Sequence, residues 1–265
     1  GGACAKVAQA AGRALKKVVL ELGGSDPLIV MPSADLDKAV KTAVTARVQN
    51  AGQSCICAKR MIVHAEVYDT FLERFEAGMK AVKIGDPMEE GVQMGPLSSV
   101  AQRDTVLEQV ERAKAAGARL LSGAEKIERE GAWMTAGVLV DLDPESDVAK
   151  EEIFGPVALV YKAADIDAAI ALANDVPYGL GSAVWAGEEA GVGRVAAEHP
   201  PLMHLRGHRQ HAVIGGDAGQ RAQLQLPLAQ RRDRGGIDFD AVEQRARAVA
   251  EQPAINLAAE AAVMR

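Results

Sequence analysis

The spacing of apolar residues predicts several helices along the chain. Between Asp35 and Val48, apolar residues recur at helical intervals after an acidic first turn. Between Val67 and Val82, the same spacing places Phe71, Leu72, Phe75 and Met79 on one side. The pattern predicts helices over residues 8–17, 35–48, 67–82, 98–116 and 165–175.

Short apolar runs that end at glycine, proline or charged residues lie between these segments and are typical of buried strands. They predict strands over residues 16–24, 27–31, 60–65, 117–123, 137–142, 156–163 and 179–187. Strands and helices therefore alternate, which predicts an α/β fold whose largely parallel sheet is covered by helices on both faces.

The pattern changes near His199. All lysines lie at or before Lys162, whereas the last sixty residues are rich in arginine and glutamine. No sustained helix or strand period follows His199. We therefore expect residues 199–265 to be a divergent or frame-shifted tail that packs poorly.

Composition, net charge and cysteine count limit the classes of protein to which the chain can belong. The chain has 265 residues, 48% of them hydrophobic, and a formal net charge of −6. The net negative charge argues against nucleic acid as a partner, and no apolar run is long enough to predict a membrane span. Cys4, Cys55 and Cys57 are too few for a disulfide scaffold, so a reducing cytoplasm is the expected location. The pattern predicts no metal site.

The segment Asn50–Arg60, NAGQSCICAKR, holds two of the three cysteines. A thiolate is a good nucleophile toward carbonyl carbon, and Gly52 allows a tight turn whose N–H groups can face a bound oxygen. Cys55 is therefore a candidate nucleophile. The alternative is that Cys55 and Cys57 are small core residues.

Two acidic segments are the other candidates. Glu21, in LELGG, follows three apolar residues, where desolvation raises a carboxyl pKa and suits a general base; a structural ion pair is the alternative. In EEIFGP, a carboxylate can accept hydrogen bonds from sugar hydroxyls while Phe154 packs on a flat ring. A charged loop anchored by Phe154 is the alternative there.

These three segments, LELGGSDP, NAGQSCICAKR and KEEIFGPV, occur in this order and together resemble the aldehyde dehydrogenase superfamily. The stretches MGPLSS, GARLLSG and LANDVPYGLGSAV agree with it. The resemblance extends from about Gly1 to about Glu198 and is strongest to the succinate-semialdehyde dehydrogenase branch.

The resemblance implies a role for individual residues. Cys55 matches the nucleophile, which forms a thiohemiacetal and then a thioester with an aldehyde, and Glu21 matches the base that activates water for thioester hydrolysis. Glu152 matches a ribose-binding glutamate of the cofactor NAD or NADP, with Phe154, Leu22 and Gly23 beside the cofactor.

Gln49 stands where succinate-semialdehyde dehydrogenases of the best-known type carry an arginine that grips the substrate carboxylate. A neutral amide there implies a broader aldehyde preference. Some relatives with the same spacing of Cys55 and Cys57 form a reversible disulfide; packing of Cys57 is the alternative.

The resemblance also implies a division of the chain. Residues 1–22 would be a remnant of the dinucleotide-binding domain, 23–198 the catalytic domain, and 199–265 lack the family's usual motifs. Family members form homo-oligomers, but the sequence does not predict whether this chain assembles.

The implied function is NAD(P)-dependent oxidation of an aldehyde, such as succinate semialdehyde, to its carboxylate. One alternative is an inactive truncated fragment that acts only as a folded or partner-bound module. Another is a CoA-dependent acylating relative, against which Glu21 argues as a ready base for hydrolysis.

Overall fold

The computed structural model describes residues 2–20, residues 22–187 and the backbone of residues 212–215. The elements are, in chain order, helix α1 (Gly2–Arg13), strand β1 (Asp26–Val30), helix α2 (Leu36–Val48), a turn at Gln49–Gly52, strand β2 (Ala58–His64), helix α3 (Ala65–Lys80), helix α4 (Val100–Ala115), strands β3 (Arg119–Ser122) and β4 (Gly137–Val140), a short 3-10 helix (Asp147–Lys150), strand β5 (Val157–Ala163), helix α5 (Ile166–Asn174), and strands β6 (Ser182–Trp185) and β7 (Ala212–Gly215).

The described strands form one sheet in the order β3-β4-β5-β2-β1-β6-β7. All neighbouring pairs are parallel except β3 and β4, which are antiparallel. The predicted largely parallel sheet is confirmed.

The connections between strands decide which face each helix covers. The chain moves one way along the sheet from β1 through β2 to the edge strand β3, and then back the other way through β4 and β5 to β6. Because such crossovers are right-handed, α2 and α3 lie on one face and α5 on the other. The predicted covering of both faces follows from this arrangement.

The core explains why these segments adopt these elements. Every residue of β1 and β4 is buried, as expected for central strands covered on both sides. In α3, Phe71 and Phe75 are fully buried and stack with ring centroids 5.4 Å apart. Helix starts are capped by side chains: Asp35, Ser99 and Asp165 accept hydrogen bonds from the first turns of α2, α4 and α5.

One predicted strand is wrong. Residues 16–20 and 22–25 do not form a strand, and Val19 is 78% exposed. An apolar run becomes a strand only when a neighbouring strand accepts its hydrogen bonds, and no described strand pairs with this segment.

The predicted domain boundaries stay a prediction, because most of residues 199–265 lie outside the described part of the chain. The described exception is β7, which pairs with β6 in parallel. Among the described residues, no helix has the length and apolarity needed to span a membrane.

Candidate functional site

Three loops carry the candidate residues, and all three lead into adjacent parallel strands. Residues 22–25 precede β1, residues 49–57 precede β2, and residues 151–156 precede β5. Since β5, β2 and β1 are neighbours in the sheet, the three loops meet at the amino ends of these strands.

The turn before Cys55 has an unusual backbone. Asn50 and Ala51 each have a φ of 52°, and Gly52 has a φ of 73°. Two side-chain hydrogen bonds close the turn, from Asn50 Nδ2 to the Gln53 carbonyl (2.9 Å) and from Gln53 Nε2 to the Asn50 carbonyl (3.2 Å), beside a backbone bond from the Gln53 N–H to the Asn50 carbonyl (3.0 Å). A side chain at Gly52 would overlap the carbonyl of Gly155, so only glycine fits where the turn meets the loop before β5.

Arg47 lies fully buried beneath this turn. Its guanidinium donates hydrogen bonds to the carbonyls of Gly52 (2.8 Å), Gly155 (2.7 Å) and Ala58 (3.2 Å). Burial lowers the pKa of Arg47 to about 10, although the group stays charged at neutral pH. Arg47 therefore ties two of the three loops together and does not face a substrate.

The two neighbouring cysteines occupy different environments. Cys55 is half-buried and Ile56, beside it, is 67% exposed, so this part of the loop is open. Cys57 is 4% exposed, and its thiol donates to the carbonyl of Gln49 at 3.6 Å. Cys55 has the accessibility that a nucleophile needs, whereas Cys57 packs as a small core residue.

Lys59 is a central residue of the site that was not predicted from the sequence. Its side chain is 1% exposed, and its ammonium group donates to the carbonyls of Ser54 (2.8 Å), Cys55 (2.9 Å) and Cys57 (3.4 Å). Burial lowers the pKa of Lys59, Arg47 lowers it further, and Glu152 opposes both.

Glu152 approaches Lys59 from the third loop. Its Oε1 lies 3.2 Å from Lys59 Nζ. Four oxygens, three carbonyls and Oε1, therefore lie within 3.4 Å of Lys59 Nζ, and the buried Oε1 has no other hydrogen-bond donor within the described residues. Its other oxygen, Oε2, lies against Gly23, where a side chain would overlap it.

The neighbouring Glu151 has a separate structural role. It forms an ion pair with Arg112 on α4 and accepts a hydrogen bond from Gln109 at 2.9 Å. The hydrogen bond from Arg112 lowers the pKa of Glu151. Of the two acidic residues in EEIFGP, only Glu152 turns toward the loop that carries Cys55.

The remaining candidate residues divide into three groups. Phe154 is half-buried, and its carbonyl accepts a hydrogen bond from Gln102 Nε2 at 2.8 Å. Leu22 and Gly23 lie half-buried in the first loop, and Gln49 is exposed at the start of the turn. Glu21, the predicted base, lies outside the described residues.

The first loop also contacts the loop of Cys55 directly. A methyl group on Gly24 would lie 2.9 Å from the carbonyl oxygen of Cys55. The structure thus brings Gly23, Gly24, Cys55 and Glu152 together, with Lys59 at the centre.

The missed residues carried a weak signal in the sequence. Lys59 and Arg60 lie at the start of the apolar strand β2, where strand alternation sends one of them to each face of the sheet. Charged side chains are seldom fully buried, so the pattern alone favoured solvent for both.

The chain is similar to proteins of one known family. The sequence model of the aldehyde dehydrogenase family matches residues 2–199. A succinate-semialdehyde dehydrogenase [NADP(+)] of Mycobacterium avium is 53% identical over 184 residues, which are 69% of this chain and 39% of that protein. A succinate-semialdehyde dehydrogenase [NADP(+)] 1 of Mycobacterium tuberculosis is 51% identical over 179 residues, 68% of this chain and 39% of that protein.

Solved structures give the same result. Lactaldehyde dehydrogenase from Escherichia coli is 37% identical, has a TM-score of 0.72, and matches 74% of this chain and 42% of its own. Betaine aldehyde dehydrogenase from Staphylococcus aureus, in complex with NAD+, is 30% identical with a TM-score of 0.70, over 73% of this chain and 39% of its own. The chain spans about two fifths of the length of the relatives it matches.

Proposed function

Because the chain belongs to the aldehyde dehydrogenase family, we propose that its three loops are the catalytic part of an enzyme that oxidises an aldehyde to its carboxylate with NAD or NADP. The observation that carries the proposal is the convergence of a half-buried Cys55 and a half-buried Glu152 around the buried Lys59. The names of the relatives, which include NADP(+) and NAD+, support the cofactor class.

Cys55 is the proposed nucleophile. Its thiolate attacks the aldehyde carbon, a C–S bond forms, and the carbonyl electron pair becomes an oxyanion on a thiohemiacetal. The Cys55 backbone N–H makes no hydrogen bond to a described acceptor, so it is free to donate to that oxyanion. The carbonyl re-forms as a hydride leaves the carbon, which yields the Cys55 thioester.

A bound nicotinamide dinucleotide supplies the hydride acceptor. Glu152 fits a sugar of such a cofactor, because its buried Oε1 has no described donor other than Lys59 and can accept a further hydrogen bond from a ribose hydroxyl. Gly23 fits as well, since only a residue without a side chain leaves room for the Glu152 carboxylate. Leu22 and Phe154 are proposed to line the same cofactor site.

Glu21 is the proposed base of the second half-reaction. It takes a proton from water, the water oxygen attacks the thioester carbon, and the C–S bond breaks to release the Cys55 thiolate and a carboxylic acid, which loses its own proton to solvent and becomes the carboxylate. Because water takes the acyl group in this step, the proposed reaction does not require CoA.

The substrate is proposed to be a semialdehyde or a related aldehyde, in line with the names of the relatives. Gln49 offers only neutral hydrogen bonds, and Arg47 is fully buried with both of its terminal nitrogens bound to backbone carbonyls. Succinate semialdehyde is therefore accepted without a strong preference over an uncharged aldehyde of similar length.

One experiment tests the proposal. Reduced cofactor is measured with succinate semialdehyde and with butanal, using NAD or NADP and no CoA, on this chain and on a longer form that contains it. We expect carboxylate and reduced cofactor in equal amounts. A requirement for CoA, or saturable cofactor binding with no aldehyde turnover in either form, would contradict it.

A further inference from the structure

Lys59 is a buried cation to which the proposed reaction assigns no task. It lies one residue inside β2, and its side chain is 1% exposed. A buried ammonium group is costly unless every proton is matched, and here three carbonyls of one loop match all three. Such an arrangement is expected where the loop must hold one conformation.

The hydrogen bonds of Lys59 determine which way the N–H groups of the loop point. A trans peptide unit is planar, and its C=O and N–H point in opposite directions. Ser54 C=O belongs to the same peptide unit as Cys55 N–H, and Cys55 C=O to the same unit as Ile56 N–H. Since both carbonyls converge on Lys59 Nζ, both N–H groups point away from it, toward the open side of the loop.

The backbone hydrogen bonds of the loop leave these two donors free. The Cys57 N–H donates to the Ser54 carbonyl at 3.2 Å. The N–H groups of Cys55 and Ile56 have no acceptor among residues 22–187. A positive charge against the far end of each peptide unit also polarises it, which makes its N–H a stronger donor.

We propose that Lys59 is a positioning residue that aims and strengthens the Cys55 N–H as an oxyanion donor, and that its ion pair with Glu152 holds the loop before β5 in the same arrangement. This inference rests on the proposed role of Cys55. Lys59 touches neither substrate nor cofactor; it acts through the peptide unit between Ser54 and Cys55.

Two reactions of the Cys55 thiolate distinguish an effect of Lys59 on oxyanion stabilisation from an effect on the charge or access of the thiolate. With 4-nitrophenyl acetate, Cys55 attacks the ester carbon, an oxyanion forms and collapses, and the C–O bond breaks to release 4-nitrophenolate. With iodoacetamide, Cys55 displaces iodide from carbon and no oxyanion forms. Any change in thiolate charge or access affects both rates, so their ratio reports on oxyanion stabilisation alone.

The test compares Lys59→Gln with Arg60→Gln. Arg60 is a matched control, because it is the next residue, is 3% exposed, and also donates to three carbonyls, those of Ser25, Leu172 and Ala173. Both rates are followed on the Cys55 peptide by mass spectrometry, and circular dichroism checks folding.

We expect Lys59→Gln to lower the ratio of acylation to alkylation on the order of 10²-fold, as for loss of an oxyanion donor. Arg60→Gln changes both rates together and leaves the ratio as it was. If Lys59→Gln does not fold, Lys59→Arg replaces it; its planar guanidinium cannot aim at all three carbonyls, so the ratio still falls, though less. An unchanged ratio in the folded variant overturns the proposal.

A second measurement does not depend on reactivity. In the wild-type chain and both glutamine variants, the Cys55 amide proton is observed by nuclear magnetic resonance. A displaced Cys55 resonance in Lys59→Gln but not in Arg60→Gln supports the proposal, and an unmoved one overturns it. Wild-type protein that is not acylated at Cys55 would refute the proposed nucleophile, while the amide resonance would still decide the role of Lys59.

Discussion

At the scale of single residues, the two cysteines show how position within one loop decides whether a thiol is accessible. Cys55 and Cys57 are separated only by Ile56, yet the first lies in an open part of the loop and the second under the turn. Cys55 was predicted as the nucleophile from its resemblance to a known motif, and the exposure of the loop gives an independent physical reason for the same assignment.

Replacement of each cysteine tests this assignment. We expect Cys55→Ala to abolish acylation by 4-nitrophenyl acetate, because it removes the accessible thiolate, while Cys57→Ala keeps most of it. Cys57→Ala also removes a buried sulfur and is expected to lower the free energy of unfolding by about 1 kcal/mol. Retained acylation in Cys55→Ala, with loss in Cys57→Ala, would reverse the assignment.

Glu21 is tested through the fate of the acyl group. Glu21→Gln keeps the shape of the side chain but removes the base, so acylation of Cys55 should proceed and hydrolysis should slow on the order of 10²–10⁴-fold. The acetylated Cys55 peptide would then accumulate after one fast turnover. Unchanged steady-state release of 4-nitrophenolate would reject this role.

Asp26 gives a residue-scale prediction about pH. Burial raises the pKa of Asp26 from 3.8 to about 6. The hydrogen bond from the Gly181 N–H and the charges of Lys59 and Arg60 lower this pKa, whereas the charge of Glu152 raises it. Between these two values the native state holds a proton that the unfolded chain has released, so the free energy of unfolding falls as the pH rises from about 4 to 6.

Asp26→Asn removes this titration and keeps the oxygen that accepts from Gly181. The free energy of unfolding, measured with urea, is expected to fall over that pH interval by about 3 kcal/mol more in wild type than in the variant. The difference follows because one unit of pKa is worth about 1.4 kcal/mol. Parallel curves for the two proteins would show that Asp26 does not titrate there.

At the scale of elements, the turn before Cys55 depends on Gly52 for two reasons, a positive φ and contact with Gly155. Gly117 offers a matched control, because its φ of 98° is also positive but nothing lies within 4 Å of an added side chain. Gly117→Ala should cost about 1–2 kcal/mol of stability from backbone strain alone.

Gly52→Ala should cost more than Gly117→Ala and should also slow acylation of Cys55, because the added methyl pushes the turn away from the loop before β5. Thermal unfolding and the acylation rate measure both effects. Equal stability losses, with normal acylation in Gly52→Ala, would show that the contact with Gly155 is unimportant.

The elements also show what the sequence could predict. Helix α2 was predicted to within a residue, since its apolar spacing and the cap at Asp35 are local signals. The strand over 16–24 was wrong, because an apolar run does not reveal whether a partner strand is present. The order β5-β2-β1 was not predictable either, and this order is what brings Cys55 and Glu152 together.

The residues of the candidate site also divide into those that the sequence could predict and those that it could not. Cys55 and Glu152 were predicted as candidates because they lie in recognisable motifs. Arg47 and Lys59 were not, since their burial depends on backbone carbonyls supplied by residues that are distant in sequence or hidden in a turn.

At the scale of the whole molecule, the boundary near Glu198 is still a prediction. We expect limited proteolysis to cut after about Glu198 and to leave a resistant core that contains β1 to β6, because the arginine-rich sequence beyond it cannot be buried without a large desolvation cost. Mass spectrometry of the products locates the cuts. Equal resistance along the whole chain would show that the tail is an integral part of the fold.

The bonds of Arg47 have a consequence for the order in which the molecule folds. One of them joins Arg47 to Gly155, 108 residues further along the chain. A chain emerges from the ribosome from its amino end, at about 5–20 residues per second. For several seconds after its synthesis, therefore, the turn beside Cys55 lacks the carbonyl that locks it. The cysteine is translated early but is shaped into its native environment late, when the segment leading into β5 has arrived.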